Sequence, residues 1–341
     1  MEKFAFGALN DGREVTAYRF YNKSGSCAVI LDYGATLQSL CVPDKDGKLV
    51  DVVLGYDTAK EYDENGGFFG ACIGRVCNRI GNASFTLDGV KYDVVKSEGK
   101  NQLHGGTKGF DRCFFDAAEV EGGLQFTRLS PDGEEGFPGN LQVKITITLS
   151  DDNVLTFNYE ADSDKATPVC LTNHAYYNLA GEGDMLDHEL KINASNFTPV
   201  DPESIPTGEI AAVAGTPLDF TSGKVVGRDI GADMEQMKLV GGFDHNFVLE
   251  GEGWKVAAEA YCPRTGIAMC VETDTPAMQF YSGNCITATV GKNGAKLAPR
   301  YGLCLETQIH PDAVNKPNFP SAFIPAGGHY ESKTCYIFTV R

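Results

Sequence analysis

Residues 141–150, LQVKITITLS, alternate without a break: Leu141, Val143, Ile145, Ile147 and Leu149 against Gln142, Lys144, Thr146 and Thr148. After a polar SDDN turn, VLTFNYE repeats the pattern, with Leu155, Phe157 and Tyr159 against Thr156 and Asn158. Successive strand side chains point to opposite faces, so this stretch predicts a hairpin with one buried face. Two further hairpins are marked by their turns. SFTLDGVKYDVV at 84–95 carries Asp88-Gly89, and GKNGAK at 291–296 carries Asn293-Gly294; both dipeptides suit the positive φ of tight hairpin turns. Runs rich in β-branched and aromatic residues recur at 14–20, 27–32, 37–42, 50–55, 124–129, 245–250, 255–262, 266–272 and 334–340. Helical periodicity is confined to GADMEQMKLV at 231–240. Many strands at short spacing, with no βαβ rhythm, predict an all-β chain of mainly antiparallel strands with very little helix. There is no linker, low-complexity tract or solenoid repeat, so one domain over 1–341 is expected.

Composition narrows the function classes. The longest apolar runs, such as CAVIL at 27–31, are far too short to span a bilayer, and MEKFAFGALNDGREV has no apolar signal-peptide core. A soluble, cytoplasmic protein is expected. The formal charge of −17 would repel nucleic-acid phosphates and anionic membranes, so neither is an expected partner. Eleven cysteines occur without a CxxC, and the Cys72/Cys77 pair does not match zinc-knuckle spacing. Several lie in apolar strand contexts, where a reduced cysteine acts as a small hydrophobe. None has the local signature of a nucleophile.

Chemistry collects on three polar rows. In TPVCLTNHAYYNLAG, 167–181, Val169, Leu171, Ala175, Tyr177 and Leu179 oppose Cys170, Thr172, His174, Tyr176 and Asn178. In GLCLETQIHP, 302–311, Leu303, Leu305 and Ile309 oppose Cys304, Glu306, Gln308 and His310. In PAMQFYSGN, 276–284, Met278 and Phe280 oppose Gln279 and Tyr281. Each row taken singly is ordinary for a core or solvent face. Lining one concave surface together, they would offer the donors and acceptors that a neutral polyhydroxyl ligand needs. Pattern alone thus supports an all-β, sugar-binding protein.

Seven ordered blocks carry a more specific signal: GRVCNRIGNASF, NQLHGGTKGFDR, SPDGEEGFPG, TPVCLTNHAYYNLAG, GGFDHNFVL, MQFYSGN and LCLETQIHPDAVNKPNFP. Together the chain resembles the aldose 1-epimerase (galactose mutarotase) family over roughly residues 70–320. The resemblance implies a galactose mutarotase-like β-supersandwich with its active site in an open cleft. It also implies interconversion of the α and β anomers of free aldohexoses such as galactose and glucose. By the family's motifs Glu306 is the base at the C1 hydroxyl and His174 the acid at the ring oxygen, with His104 assisting there or holding the sugar. Arg79, Asn78, Tyr176, Asp244 and Gln279 would bind the other oxygens. Unperturbed, a Glu is ionised near neutral pH and a His lies close to its titration point, so no cofactor and no metal is expected.

Some positions read less clearly. Strand alternation separates Asn78 from Arg79 unless the nearby glycines distort the chain, and it turns His245 away from Asp244. His310 shares a face with Glu306 but has no role in the family. His188 and His329 have no functional context. Arg75 reads as structural, a support for Arg79, and SPDGEEGFPG as a shaped loop. The rival functions are a hexose-6-phosphate 1-epimerase on the same fold, an inverting glycosidase, and a non-catalytic sugar-binding module. The first wants further cations, the second two opposed carboxylates, and the third has no need of both Glu306 and His174. A metal-dependent cupin is disfavoured, because no short-spaced His/Glu ligand set occurs. Monomer and homodimer both stay open.

Overall fold

The computed structural model describes residues 1–287 and 289–341. The predicted hairpin forms from Leu141–Leu149 and Val154–Ser163, in register from Leu141 opposite Ser163 to Leu149 opposite Leu155. It lies inside a nine-stranded sheet. Gly123–Ser130 and Asp116–Val120 extend one side; His329–Val340, Ile267–Thr273, Lys255–Tyr261, Glu189–Ile192 and Lys224–Val225 extend the other. A five-stranded meander, Glu2–Ala8 to Leu49–Asp51, forms a second sheet. The third, also five-stranded, runs in the order Ala211–Ala212, Asn196–Thr198, Asp244–Val248, Ala277–Tyr281 and Cys304–Gln308.

One buried cluster joins the three sheets. Tyr18, Phe20 and Leu40 come from the meander, Ile145, Phe157 and Tyr336 from the large sheet, and Phe247, Met278, Phe280 and Leu305 from the third. Burying each such side chain stabilises the fold by about 1.5–3 kcal/mol. Because strand side chains alternate, filling the core with these residues turns Asn246, Gln279 and Glu306 to the opposite face of the third sheet. The turn readings hold as well. Asp88 and Gly89 have φ of 51° and 79°, and Asn293 and Gly294 have 53° and 73°.

The structure departs from the sequence reading in three places. Glu2–Ala8 is an additional strand, paired with Glu14–Tyr21; as a sheet edge it buries little, so its apolar signal is weak. Ala59–Glu64 is a helix too short to show periodicity, yet Thr58 and Glu61 form a capping box that marks its start. The segment 167–181 is not one continuous strand. Only Thr167–Pro168 and Thr172–Asn173 pair as strands, with isolated bridges at Cys170 and Tyr177. Both of its sides are buried. Val169, Leu171, Ala175, Tyr177 and Leu179 enter the main core, while Cys170 and Tyr176 enter two other clusters. No helix among the described residues is long and apolar enough to cross a membrane.

Candidate active site

The polar face of the third sheet is the floor of the site. Gln279 lies directly opposite Asn246 on one side and Glu306 on the other, and Asp244 pairs with Tyr281 one step along. The Gln279 amide donates to Asp244 Oδ1 at 2.7 Å. Glu306 is 2% exposed, and its Oε2 has no hydrogen-bond partner among the described residues. A buried carboxylate oxygen without a donor is costly, so this oxygen is left to accept a hydrogen from a group outside the protein.

Backbone pairing brings His174 to that floor. Tyr177 and Leu303 exchange N–H···O bonds of 2.8 and 2.9 Å, and Leu54 N–H donates to the Tyr176 carbonyl. On the other side His174 N–H donates to Ala71 O, and Asn173 Nδ2 to Gly70 O at 2.7 Å. His174 Nε2 thereby stands 3.7 Å from Glu306 Oε1. Its ring is 5.0 Å from that of Tyr176. Phe68 packs against both histidines, 4.7 Å from His104 and 5.7 Å from His174 between ring centres.

His104 and Asn78 meet through their backbones. Both have positive φ, 51° and 61°, which breaks the alternation assumed for Asn78 and Arg79. His104 N–H donates to Asn78 O, and Asn78 N–H donates back to His104 Nδ1 at 3.1 Å. With Nδ1 accepting, the neutral ring carries its hydrogen on Nε2. His104 is therefore a fixed hydrogen donor. The following Gly105 is required, because a Cβ there would lie 1.9 Å from the Gly74 carbonyl oxygen. Arg79 is clamped by Glu98 through bonds of 2.6 and 3.0 Å. That carboxylate has no signal in the sequence, since it sits in a loop 19 residues away.

Burial resets the titration of the pair and corrects the unperturbed values. It pushes Glu306 well above the ordinary carboxyl range, Asp244 adds to the effect, and Arg79 pulls back. It lowers His174 to about 4. His104 is driven well below its usual value by burial, with His174 and Arg79 adding to it. Burial likewise raises Asp244, against Arg79 and the Gln279 amide.

The structure brings together all eight residues singled out in the sequence: Glu306, His174 and His104, with Arg79, Asn78, Tyr176, Asp244 and Gln279. Phe68 and Glu98 are the additions. His245 is buried, its ring edge-on to Phe197. His188 accepts Leu179 N–H through Nε2 and faces Asp187 through Nδ1. His329 pairs with Asp162 on the surface. Arg75 does not support Arg79. Its buried guanidinium bonds Ser130 Oγ and the carbonyls of Ser130, Pro131 and Pro138, so it braces the SPDGEEGFPG loop instead. Cys285 is exposed, and Cys41, Cys113 and Cys270 are half-buried; the other seven cysteines are buried.

Among the described residues two sets could be considered for a metal: His104, His174 and Glu306, and Asp187, His188 and Cys262. Neither fits well. His104 offers a hydrogen rather than a lone pair at Nε2, and both ring nitrogens of His188 are engaged.

What the pocket can do is move protons on a neutral polyhydroxyl molecule, and comparison with known proteins agrees. The sequence profile of the family described as Aldose 1-epimerase matches residues 16–336. The chain is 43% identical over 340 residues to galactose mutarotase of Homo sapiens, covering 98% of this chain and 97% of that protein. It is 39% identical over 334 residues to aldose 1-epimerase of Escherichia coli K12, covering 96% of each. Among solved structures, the GalM/aldose epimerase homologue from C. elegans superposes with a TM-score of 0.88 at 31% identity, over 95% of this chain and 98% of that one. Galactose 1-epimerase from Lactobacillus acidophilus NCFM also gives 0.88, at 27% identity over 99% and 98%. The chain belongs to the aldose 1-epimerase family.

Proposed function

We propose that this chain interconverts the α and β anomers of free aldoses such as galactose and glucose, with Glu306 as base at the C1 hydroxyl and His174 as acid at the ring oxygen. The observation that carries this is the 3.7 Å approach of His174 Nε2 to Glu306 Oε1 inside a pocket lined by hydroxyl-binding groups. To exchange anomers the ring must open. The C1 hydroxyl loses a proton while the ring oxygen gains one; the C1–C2 bond then rotates and the ring recloses. One base and one acid must act at two oxygens of the same sugar.

The buried pair is suited to that count. Between pH about 4, set by His174, and the raised value of Glu306, the two groups together hold one proton. A carboxylate with an imidazolium is the same protonation level as a carboxylic acid with an imidazole. A bound sugar selects the first arrangement by offering a hydroxyl to Glu306 and a lone pair to His174. His104 donates from Nε2 toward the same region. Asp244 and Gln279 take further hydroxyls, and Asn78, Arg79 and Tyr176 complete the lining. The single chain 1–341 acts as one unit, with reduced thiols in the cytoplasm and no second macromolecule needed.

Polarimetry on freshly dissolved α-D-galactose and α-D-glucose is the test. The protein is expected to speed the approach to equilibrium with no metal or nucleotide added, and EDTA is expected to leave the rate unchanged. Activity lost in EDTA and restored by a divalent ion would overturn the mechanism; sugar binding without any rate enhancement would favour a binding module.

Neutral sugars are the expected substrates. Among the described residues Arg79 is the cation brought to this cluster, and its charge is already countered by Glu98 at 2.6 Å, so a phosphate dianion would meet no uncompensated positive charge there. We expect kcat/KM for galactose 6-phosphate to be at least about tenfold below that for galactose, the loss for one charge-assisted hydrogen bond left unmade. The reverse order in the same assay would move the assignment to the phosphosugar enzyme.

A further inference from the structure

The face that carries Glu306 also carries a row of amides that the chemistry above does not use. Gln308 is fully buried, Asn246 is 2% exposed and His310 4%. Gln308 Nε2 donates to Asn246 Oδ1 at 2.9 Å and to Gln279 Oε1 at 3.3 Å. Asn246 Nδ2 faces His310 Nδ1 at 3.3 Å, and Cys77 Sγ points at Gln308 Oε1 at 3.7 Å. Gln279 then donates to Asp244. The chain runs His310, Asn246, Gln308, Gln279, Asp244, across neighbouring strands held in fixed register.

Each link has only one workable orientation. A primary amide has a two-hydrogen donor end and an acceptor end. Turning Asn246 around would set its NH₂ against that of Gln308. Turning Gln279 around would do the same, and would set its carbonyl against the Asp244 carboxylate. His310 closes the far end as an acceptor. Its ring stands edge-on to Phe319 at 4.9 Å, and burial holds it neutral by lowering it to about 4.

We propose that Gln308, Asn246 and His310 are positioning residues that fix the Gln279 amide, so that Gln279 and Asp244 present one donor and one acceptor to adjacent hydroxyls of the sugar. The inference rests on the mutarotase reading for the identity of the ligand. The Gln279 carbonyl is consumed from behind by Gln308, and one amide hydrogen is committed to Asp244. The second hydrogen is left for a sugar oxygen, and the free carboxylate oxygen is left for a neighbouring hydroxyl. The ligand class is thus an aldose with two adjacent hydroxyls within reach of this pair. Glu306 lies next to Gln279 but takes no bond from the chain, so the network governs binding rather than proton transfer.

The test compares wild type, Gln308→Met, Gln279→Ala and the double variant by steady-state mutarotation of galactose, with calorimetric galactose binding alongside. Methionine keeps the length and volume of Gln308 but releases the Gln279 carbonyl. We expect Gln308→Met to raise both KM and Kd by up to about tenfold, the upper end for one neutral hydrogen bond lost, with kcat within about twofold. In the Gln279→Ala background the same substitution should have almost no further effect on either constant, because the group it positions is gone. A structural role alone would lower the melting temperature and leave the KM-to-kcat split and the non-additivity unmoved. Unchanged KM and Kd in Gln308→Met, or equal effects in both backgrounds, overturn the proposal. A wild-type protein that binds galactose without turning it over would sink the mutarotase reading instead, and calorimetry would still decide the positioning role.

Discussion

His174→Asn and Glu306→Gln are each expected to lower kcat for galactose mutarotation by about 10²–10⁴-fold, the usual contribution of a positioned acid or base. KM is expected to move far less, because on the proposed reading Asp244, Gln279 and Arg79 would still hold the hydroxyls. The double variant is expected to be scarcely slower than the poorer single one: when one partner is missing, the other has no concerted step to join. Glu306→Gln is isosteric, and asparagine in His174→Asn keeps a polar group at the shorter position. The pH profile is the second readout. The working form holds one proton on the pair. Below pH about 4 His174 becomes protonated as well, so Glu306 can no longer act as base while His174 acts as acid, and kcat/KM falls. On the alkaline side the pair loses its only proton as pH rises through the elevated Glu306 value, and kcat/KM falls again. Steady-state polarimetry on the two single variants and the double variant decides the assignment. A near-wild-type kcat in His174→Asn would transfer the acid role to His104, whose Nε2 hydrogen already points from the fixed ring.

Arg75→Met is expected to cost about 3–5 kcal/mol of stability, the range for removing one partner of a buried charged network. The guanidinium donates to Ser130 Oγ at 3.1 and 2.8 Å, to Ser130 O and Pro131 O at 3.0 Å, and to Pro138 O at 2.8 Å. Methionine supplies no donor, so several buried acceptors lose their partners at once. The loop it braces reaches the far side of the site, because Glu135 Oε2 accepts Thr107 N–H at 2.8 Å just beyond Gly105 and Gly106. Urea unfolding followed by tryptophan and tyrosine fluorescence measures the loss, and an unfolding free energy within about 1 kcal/mol of wild type would remove Arg75 from the frame of the fold.

Much of this was legible because strand alternation is a strict code. The apolar positions of 141–160 and 276–281 name the core face, and whatever stands between them must face the other way. That logic placed Gln279 and Glu306 correctly. It does not hold at Asn78, where positive φ turns the chain as the proviso about local distortion allowed, and the relevant contact is backbone to the His104 ring. It failed also for 167–181, where both faces are buried and polarity no longer separates inside from outside. Glu98 was invisible for a different reason: a loop carboxylate acquires its partner only when the loop closes over Arg79. The direction in which Glu306 and His174 titrate depends on burial, and burial belongs to the assembled sheets rather than to any short motif.

The bond from Asn78 N–H to His104 Nδ1 has a further consequence, resistance to poisoning. Two imidazoles and a carboxylate within 4.8 Å are the sort of trio that scavenges trace zinc or copper. To bind through Nε2, a neutral His104 would have to move its hydrogen to Nδ1, against the Asn78 amide hydrogen already there. The amide would be left buried and unpaired, at about 1–3 kcal/mol, which weakens capture of the ion by roughly 5- to 150-fold. A backbone turn of the kind that only a few residues tolerate thus disfavours metal capture by this trio.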